Sequence, residues 1–229
     1  MLKSNPMNID DAGKSGNGHC GEGLTVEDVT IAIGQARLLG VSFTIAPGEI
    51  VTIVGQSGSG KSTLLAYIGG FLDPIFTASG RIRLSGRDVT EIQARDRRIG
   101  LLFQDDLLFP HLSVAQNLLF AIPPDISGRN NRMKIAETAL DDVGLAGFAN
   151  RDPATLSGGQ RSRVALVRML LSKPRALLLD EPFSKLDPER RGKIRELVFQ
   201  KARSEKLPVL LVTHDESDAE AAGGQIIGI

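Results

Sequence analysis

The sequence predicts an α/β fold: a parallel-sheet core around one phosphate-binding loop, an antiparallel β part beside it, and an inserted helical part. Three observations carry this reading. A short apolar run, a glycine-rich loop and a helical pattern follow one another at positions 49–68. Three further apolar runs, at 99–103, 176–179 and 209–213, each end at a polar residue suited to a binding site. Between the first two of these lies a stretch with helical spacing and proline breaks.

Residues 1–23 are rich in Gly, Asn, Ser and Asp, lack periodicity, and read as a flexible extension. His19 and Cys20 stand side by side without a second ligand pair, so a metal site is not expected there. Positions 24–33 (LTVEDVTIAI) alternate apolar and polar residues, as a half-buried strand does. A second strand is expected at 38–45, ended by the turn Pro47-Gly48, and a third at 80–84 (GRIRL), followed by a turn.

Positions 49–54 (EIVTIV) read as a buried strand and 62–68 (STLLAYI) as the start of a helix. Between them run Gly55, Gln56, Ser57, Gly58, Ser59, Gly60, Lys61, Ser62 and Thr63, with the spacing Gly, four residues, Gly-Lys-Ser. In this context the loop makes a phosphate cradle. Its glycines let backbone N–H groups converge on one anion, and the helix N-terminus adds partial positive charge. Lys61 reaches the outer phosphates, and the Ser62 hydroxyl takes one Mg²⁺ position. The chain is thereby read as a P-loop NTPase core.

The run 99–103 (IGLLF) ends at Gln104. The residues alone leave two readings of Gln104, a site residue at a strand end or an ordinary loop glutamine. Positions 105–160 are read as a helical subdomain inserted in the core, with helical spacing at 114–120 and 132–143. Next comes LSGGQ, with Ser157 and Gln160 at capping-box spacing and Gly158 and Gly159 baring a helix N-terminus. This is either a second anion site or simply a well-capped surface helix. The run 176–179 (ALLL) delivers Asp180 and Glu181, two adjacent carboxylates suited to holding hydrated Mg²⁺ and to handling an attacking water. The run 209–213 (VLLVT) ends at His214, on the same expected sheet edge.

Together these residues resemble the ATP-binding subunit of an ABC transporter. Positions 156–160 match its signature, Asp180-Glu181 its Walker B segment, Gln104 its Q-loop, positions 184–187 (SKLD) its D-loop, and His214 its switch histidine. The resemblance spans 24–229. It implies an ATPase in which two copies sandwich two ATP molecules, each phosphate loop facing Ser157 and Gly159 of the other copy. It implies Glu181, His214 and Gln104 as catalytic residues and Asp180, Gln104 and Ser62 around Mg²⁺. It further implies membrane-spanning permease subunits, and indirectly an extracytoplasmic solute-binding protein. The location implied is peripheral, on the cytoplasmic face of the inner membrane. Positions 107–114 (LLFPHLSV) look like importers of the iron, thiamine, polyamine or sulfate type, and a docking groove is expected near Phe109, Pro110 and Leu112. No further regulatory domain is expected after His214.

Two departures bear on the site. Ile33 stands where the family places an aromatic residue against adenine, and its neighbours in sequence are not aromatic. Base recognition is therefore expected to be loose. Phe43 is a candidate substitute, although its alternation with Val41 and Ile45 suits the core. Lys185 stands where the D-loop commonly has a small residue.

Composition narrows the classes. Lys+Arg and Asp+Glu number 27 each, so no basic footprint points to nucleic acid. One cysteine excludes an intrachain disulfide framework. No apolar run reaches bilayer-spanning length and no signal-peptide pattern is seen. An exporter motor and a soluble ABC protein of DNA repair or translation remain as alternatives. The insert lacks the sustained heptads of the repair type, and one cassette stands where translation types carry two.

Overall fold

A computed structural model describes residues 23–56 and 58–229. His19, Cys20 and Ser57, with the rest of the first 22 residues, lie outside the described residues. Gly23, assigned from sequence to the extension, belongs to the fold. It is buried, and its carbonyl accepts a hydrogen bond from the Ser85 N–H at 2.9 Å.

The chain begins with the antiparallel strands β1 (Leu24–Ile33) and β2 (Ala36–Ile45). Simple alternation along β1 would turn Asp28 inward after Leu24 and Val26. A bulge between Val26 and Val29 prevents this. Asp28 adopts φ 47°, its N–H donates to Ser42 Oγ at 2.7 Å, and Val29 and Ile31 regain the buried face. β3 (Ile50–Val54) leads into α1 (Lys61–Gly69). β4 (Phe76–Leu84) is longer than the sequence pattern showed, because Thr77, Ala78 and Ser79 carry no alternation yet pair with β1. The two-residue β5 (Arg87–Asp88) completes a four-stranded sheet of order β2-β1-β4-β5.

The short α2 (Ala94–Arg97) precedes β6 (Ile99–Leu102). Arg97 is buried and its guanidinium donates to the carbonyls of Tyr67 (2.9 Å), Ile68 (2.7 Å), Ile92 (2.7 Å) and Thr90. It thus fastens the C-terminal end of α1 to the loop after the antiparallel sheet. α3 (Val114–Ala121) and α4 (Arg129–Asp142) follow, then a 3-10 turn at Pro153–Thr155 and α5 (Gly158–Leu171). β7 (Ala176–Asp180), α6 (Pro188–Ser204), β8 (Val209–Val212), α7 (Glu216–Ala222) and β9 (Ile226–Gly228) close the chain.

The second sheet is parallel, of order β6-β7-β8-β3-β9. Its continuous apolar runs are explained by burial on both faces. Leu177, Leu179, Val209 and Leu211 face one core with α3, α4, α5 and α6. Ala176, Leu178, Leu210 and Val212 face the other, with α1 and the antiparallel sheet. The apolar side chains of residues 105–160, such as Val114, Leu118, Ala136 and Leu140, run without a break into the first core. This architecture is that of an α/β P-loop NTPase. No helix among the described residues is long and apolar enough to cross a membrane.

Candidate nucleotide site

Because β6, β7, β8 and β3 are parallel, their carboxyl ends lie on one edge, where crossover sheets place their ligands. A cleft of about 500 Å³ opens there. It is lined by Gly55, Gly58, Gly60, Lys61, Ser62 and Thr63 of the loop after β3. Gln104 comes to it from the end of β6, Asp180 and Glu181 from β7, and His214 from β8. The structure therefore brings together residues spread over about 160 positions of sequence.

The loop is shaped for a chain reversal. Gly60 caps α1 with φ 94°, and a Cβ there would meet Leu39 Cδ2 at 2.7 Å. No side chain caps α1 and no acid lies in its first turn, so its N-terminal charge is uncompensated. Lys61 Nζ donates to the carbonyls of Gly55 (2.9 Å) and Gln56 (2.6 Å) and to Ser59 Oγ (3.3 Å), which curls the loop around the ammonium.

Asp180 is buried at the end of β7, within hydrogen-bonding reach of the Ser62 hydroxyl. Burial pushes its carboxyl above the usual carboxylate range. The Ser62 bond opposes that shift, Glu181 adds to it, and Lys61 opposes it. A desolvated carboxylate beside a hydroxyl, with Gln104 on the same cleft, is an all-oxygen donor set that fits Mg²⁺.

Glu181 carries its carboxylate on a strained backbone. Its φ is 47°, sparsely populated for a side chain of this kind, and its N–H is held by the Val212 carbonyl at 2.9 Å. His214 Nδ1 lies 2.9 Å from Glu181 Oε1. Behind His214 is a network that the sequence reading missed. The buried Asp218 accepts from Arg191 (2.6 Å) and Arg195 (3.0 Å), Arg191 also pairs with Asp215 (2.8 Å), and Asp215 caps α7. The spacing of Arg191 and Arg195, one helical turn apart, was the available signal. Lys185 stands where the D-loop commonly has a small residue. Its Nζ donates to the Gln104 carbonyl at 2.6 Å, so it ties the loop after β7 to the loop after β6.

Ser157, Gly158, Gly159 and Gln160 do not line this cleft. Both capping-box bonds are present, Ser157 N–H to Gln160 Oε1 at 2.9 Å and Gln160 N–H to Ser157 Oγ at 3.3 Å. A Cβ on Gly159 would press on the Lys185 carbonyl at 2.8 Å, whereas Gly158 faces open space.

The fold places two further groups singled out in the sequence. Phe109 and Leu112 are half-buried rather than exposed, because Asn117 pins their loop by bonding the Phe109 N–H (2.8 Å) and the carbonyls of Phe109 (3.1 Å) and Leu112 (3.2 Å). The exposed apolar side chains of this region are Leu107 and Phe120, with the Phe109 ring packed edge-on to Phe120 at 5.0 Å. Phe43 is buried in the antiparallel sheet and is absent from the cleft lining, so it is a core residue.

Fold and cleft define a nucleotide-hydrolysing P-loop protein. Residues 38–184 match the ABC transporter family. The ABC transporter ATP-binding protein YnjD of Escherichia coli is 47% identical over 86% of this chain and 91% of its own length. A thiamine import ATP-binding protein, ThiQ of a Jannaschia species, is 44% identical over 86% of this chain and 84% of its own. An Fe(3+) ions import ATP-binding protein, FbpC of Brucella abortus, is 38% identical over 89% of this chain, which spans 57% of that protein. Among solved structures, a dimeric post-hydrolysis state of the ATP-binding cassette MJ0796 bound to ADP and Pi is similar, at TM-score 0.79 and 32% identity over 90% of this chain and 94% of that one. The chain belongs to the ABC transporter family, as an ATP-binding cassette that hydrolyses ATP.

Proposed function

We propose that the chain is the peripheral ATPase of an importer, working as a homodimer beneath membrane-spanning permease subunits on the cytoplasmic face of the membrane. The solute would be delivered to those subunits by an extracytoplasmic binding protein. The observation that carries this reading is the convergence of Lys61, Ser62, Gln104, Asp180, Glu181 and His214 on one cleft. The import proteins among its relatives support the direction of transport.

In this reading, backbone N–H groups from Gly55 to Thr63 and the Lys61 ammonium hold the β- and γ-phosphates of ATP. Ser62, Asp180 and Gln104 would hold Mg²⁺, which when bound neutralises phosphate charge during transfer. Glu181 accepts a proton from the attacking water as the new P–O bond forms. The bond from the γ-phosphorus to ADP breaks, leaving ADP and phosphate. His214 orients Glu181 through Nδ1 and turns its other nitrogen to the γ-phosphate. The N-terminus of α5, with Ser157, Gly158, Gly159 and Gln160, completes the site of a second copy. Leu107 and Phe120 mark the face that docks the permease.

Phosphate release measured across a protein dilution series tests the paired site. Turnover per subunit should fall as the protein is diluted below the dimer dissociation range. Strictly first-order turnover at every dilution would contradict it. Affinity capture of the tagged chain from solubilised membranes should also bring down a polytopic membrane subunit. Its loss from Leu107→Ser/Phe120→Ser protein, with ATPase kept, would locate the docking face.

A further inference from the structure

We propose that Phe76, from β4, supplies the aromatic face on which the nucleotide base stacks, and that Ile33 and Leu38 complete an apolar base pocket. This rests on the nucleotide reading of the cleft. The cleft has two chemically different ends. One is the loop with its lysine, carboxylates and glutamine. The other is lined by Ile33, Leu38 and Phe76 alone. A ligand fitting both ends carries phosphates at one extremity and a flat apolar group at the other, as a purine nucleoside triphosphate does.

The antiparallel register builds the apolar end. Ile33, the last residue of β1, pairs directly with Phe76, the first residue of β4. Directly opposed residues project from the same face, with Cβ atoms about 4.5–5.5 Å apart. Ile33 is 42% exposed although it shares the face of the buried Val29 and Ile31, so that face runs past the core into the cleft. Phe76 is half-buried, with part of its ring packed on the antiparallel core and the rest open to the cleft. Its position is fixed at the strand start, where its N–H bonds the Asp73 carbonyl at 3.0 Å and Ile75 N–H bonds Asp73 Oδ1 at 2.9 Å. Leu38 joins the two ends, since its Cδ2 would lie 3.0 Å from a Cβ placed on Gly60.

The sequence alone shows no aromatic residue near Ile33 because Phe76 is 43 positions away. Only strand pairing brings them together. The pocket offers a π-face and methyl groups but no hydrogen-bond donor at its apolar end. It therefore adds affinity for a base without choosing between adenine and guanine, since stacking tolerates any base.

The test is equilibrium binding of ATP, GTP and inorganic tripolyphosphate to wild type, Phe76→Leu and Phe76→Tyr. Leucine keeps the apolar packing and removes the π-face, and a melting curve checks that the fold is kept. Phe76→Leu should lose about 5–100-fold in affinity for ATP and for GTP. Its affinity for tripolyphosphate, which has no base, should stay unchanged, since the phosphate cradle is untouched. Phe76→Tyr should bind all three as wild type does. Unchanged ATP affinity in Phe76→Leu overturns the assignment. Equal loss of ATP and tripolyphosphate also overturns it and leaves Phe76 a structural residue. Wild type that binds neither ATP nor tripolyphosphate would overturn the nucleotide reading itself.

Discussion

Two helix N-termini in this chain follow glycine-bearing loops singled out in the sequence, and they are finished differently. α1 begins at Gly60, with no side-chain cap, and opens into a cleft that also holds Gln104, Asp180, Glu181 and His214. α5 begins at Ser157, with its first turn closed by the Ser157–Gln160 box, and lines no part of that cleft. Neither has an acid in its first turn, whereas α6 and α7 have Glu189, Glu216 and Asp218 there. α3 and α4 also lack an acid there, so the contrast between α1 and α5 rests on their caps and surroundings. α1 finds its chemistry within the chain. α5 has only Lys185 and Leu186 packed behind Gly159 and open space before Gly158. The lesson is that one terminus meets its chemistry within the chain, and the other does not.

The largest effect that would sharpen this contrast is on chemistry at the α1 cleft. Glu181→Gln should lower turnover by about 10²–10⁴-fold, the usual worth of a general base. ATP binding should survive, and size exclusion with ATP and Mg²⁺ should show a dimer. A variant that stays monomeric there breaks the link between the two termini.

Next in size is a difference between the termini themselves. Lys61→Ala removes charged hydrogen bonds to phosphate, each worth about 1.5–3 kcal/mol, so ATP affinity should fall roughly ten- to a hundredfold or more. Gly158→Asp places an acid at the free end of α5. ATP binding to the monomer should hold while hydrolysis stops. Equal loss of nucleotide affinity in the two variants, measured by titration, would erase the distinction.

A smaller effect separates cap from site. Ser113 and Ser157 head identical capping boxes on α3 and α5. Alanine at either should cost about 1 kcal/mol, or roughly 2–4 °C in Tm. Only Ser157→Ala should also reduce turnover beyond that loss of stability. Matching ATPase rates in the two variants at equal folded fraction would make α5 a capped helix and nothing more.

The smallest effect concerns Asp180 alone. Burial raises its carboxyl pKa in the folded chain above the ordinary value of 3.8. Between those two values the native state binds more protons than the unfolded state, so stability falls as pH rises through the window. Asp180→Asn removes that charge. The nucleotide-free variant should melt higher at neutral pH, on the order of 2–4 °C for a change near 1 kcal/mol. The gain should vanish below the ordinary carboxylate range. A lower Tm at neutral pH would show that Ser62 and Lys61 outweigh burial.

The phosphate loop, the capping box of α5 and the buried strands were legible because each is a local pattern. Continuous runs such as Ala176–Leu179 and Val209–Val212 announce double-sided burial, and GQSGSGKST needs only its flanking strand and helix to be read. α6 was not read, for its seventeen residues carry eight charged side chains and expose most of their length. Its signal was the Asp187-Pro188 start, a cap followed by proline at the first position. The β1 alternation was legible only in outline, since the bulge at Asp28 shifts the inward face by one residue.

By itself the sequence determined which groups this protein carries and on which kind of element each sits. Covalent order fixes the spacing of Gly55, Lys61 and Ser62, and local hydrogen bonding fixes Ser157 to Gln160. Tertiary structure alone decided which groups meet. Parallel pairing set Gln104, Asp180 and His214 on one edge, and antiparallel register set Phe76 beside Ile33. It also decided that Phe109 is half-buried, while Phe43 is core as its alternation indicated. The physical reason is that such meetings depend on strand register and the packing of whole faces, which are properties of distant segments taken together.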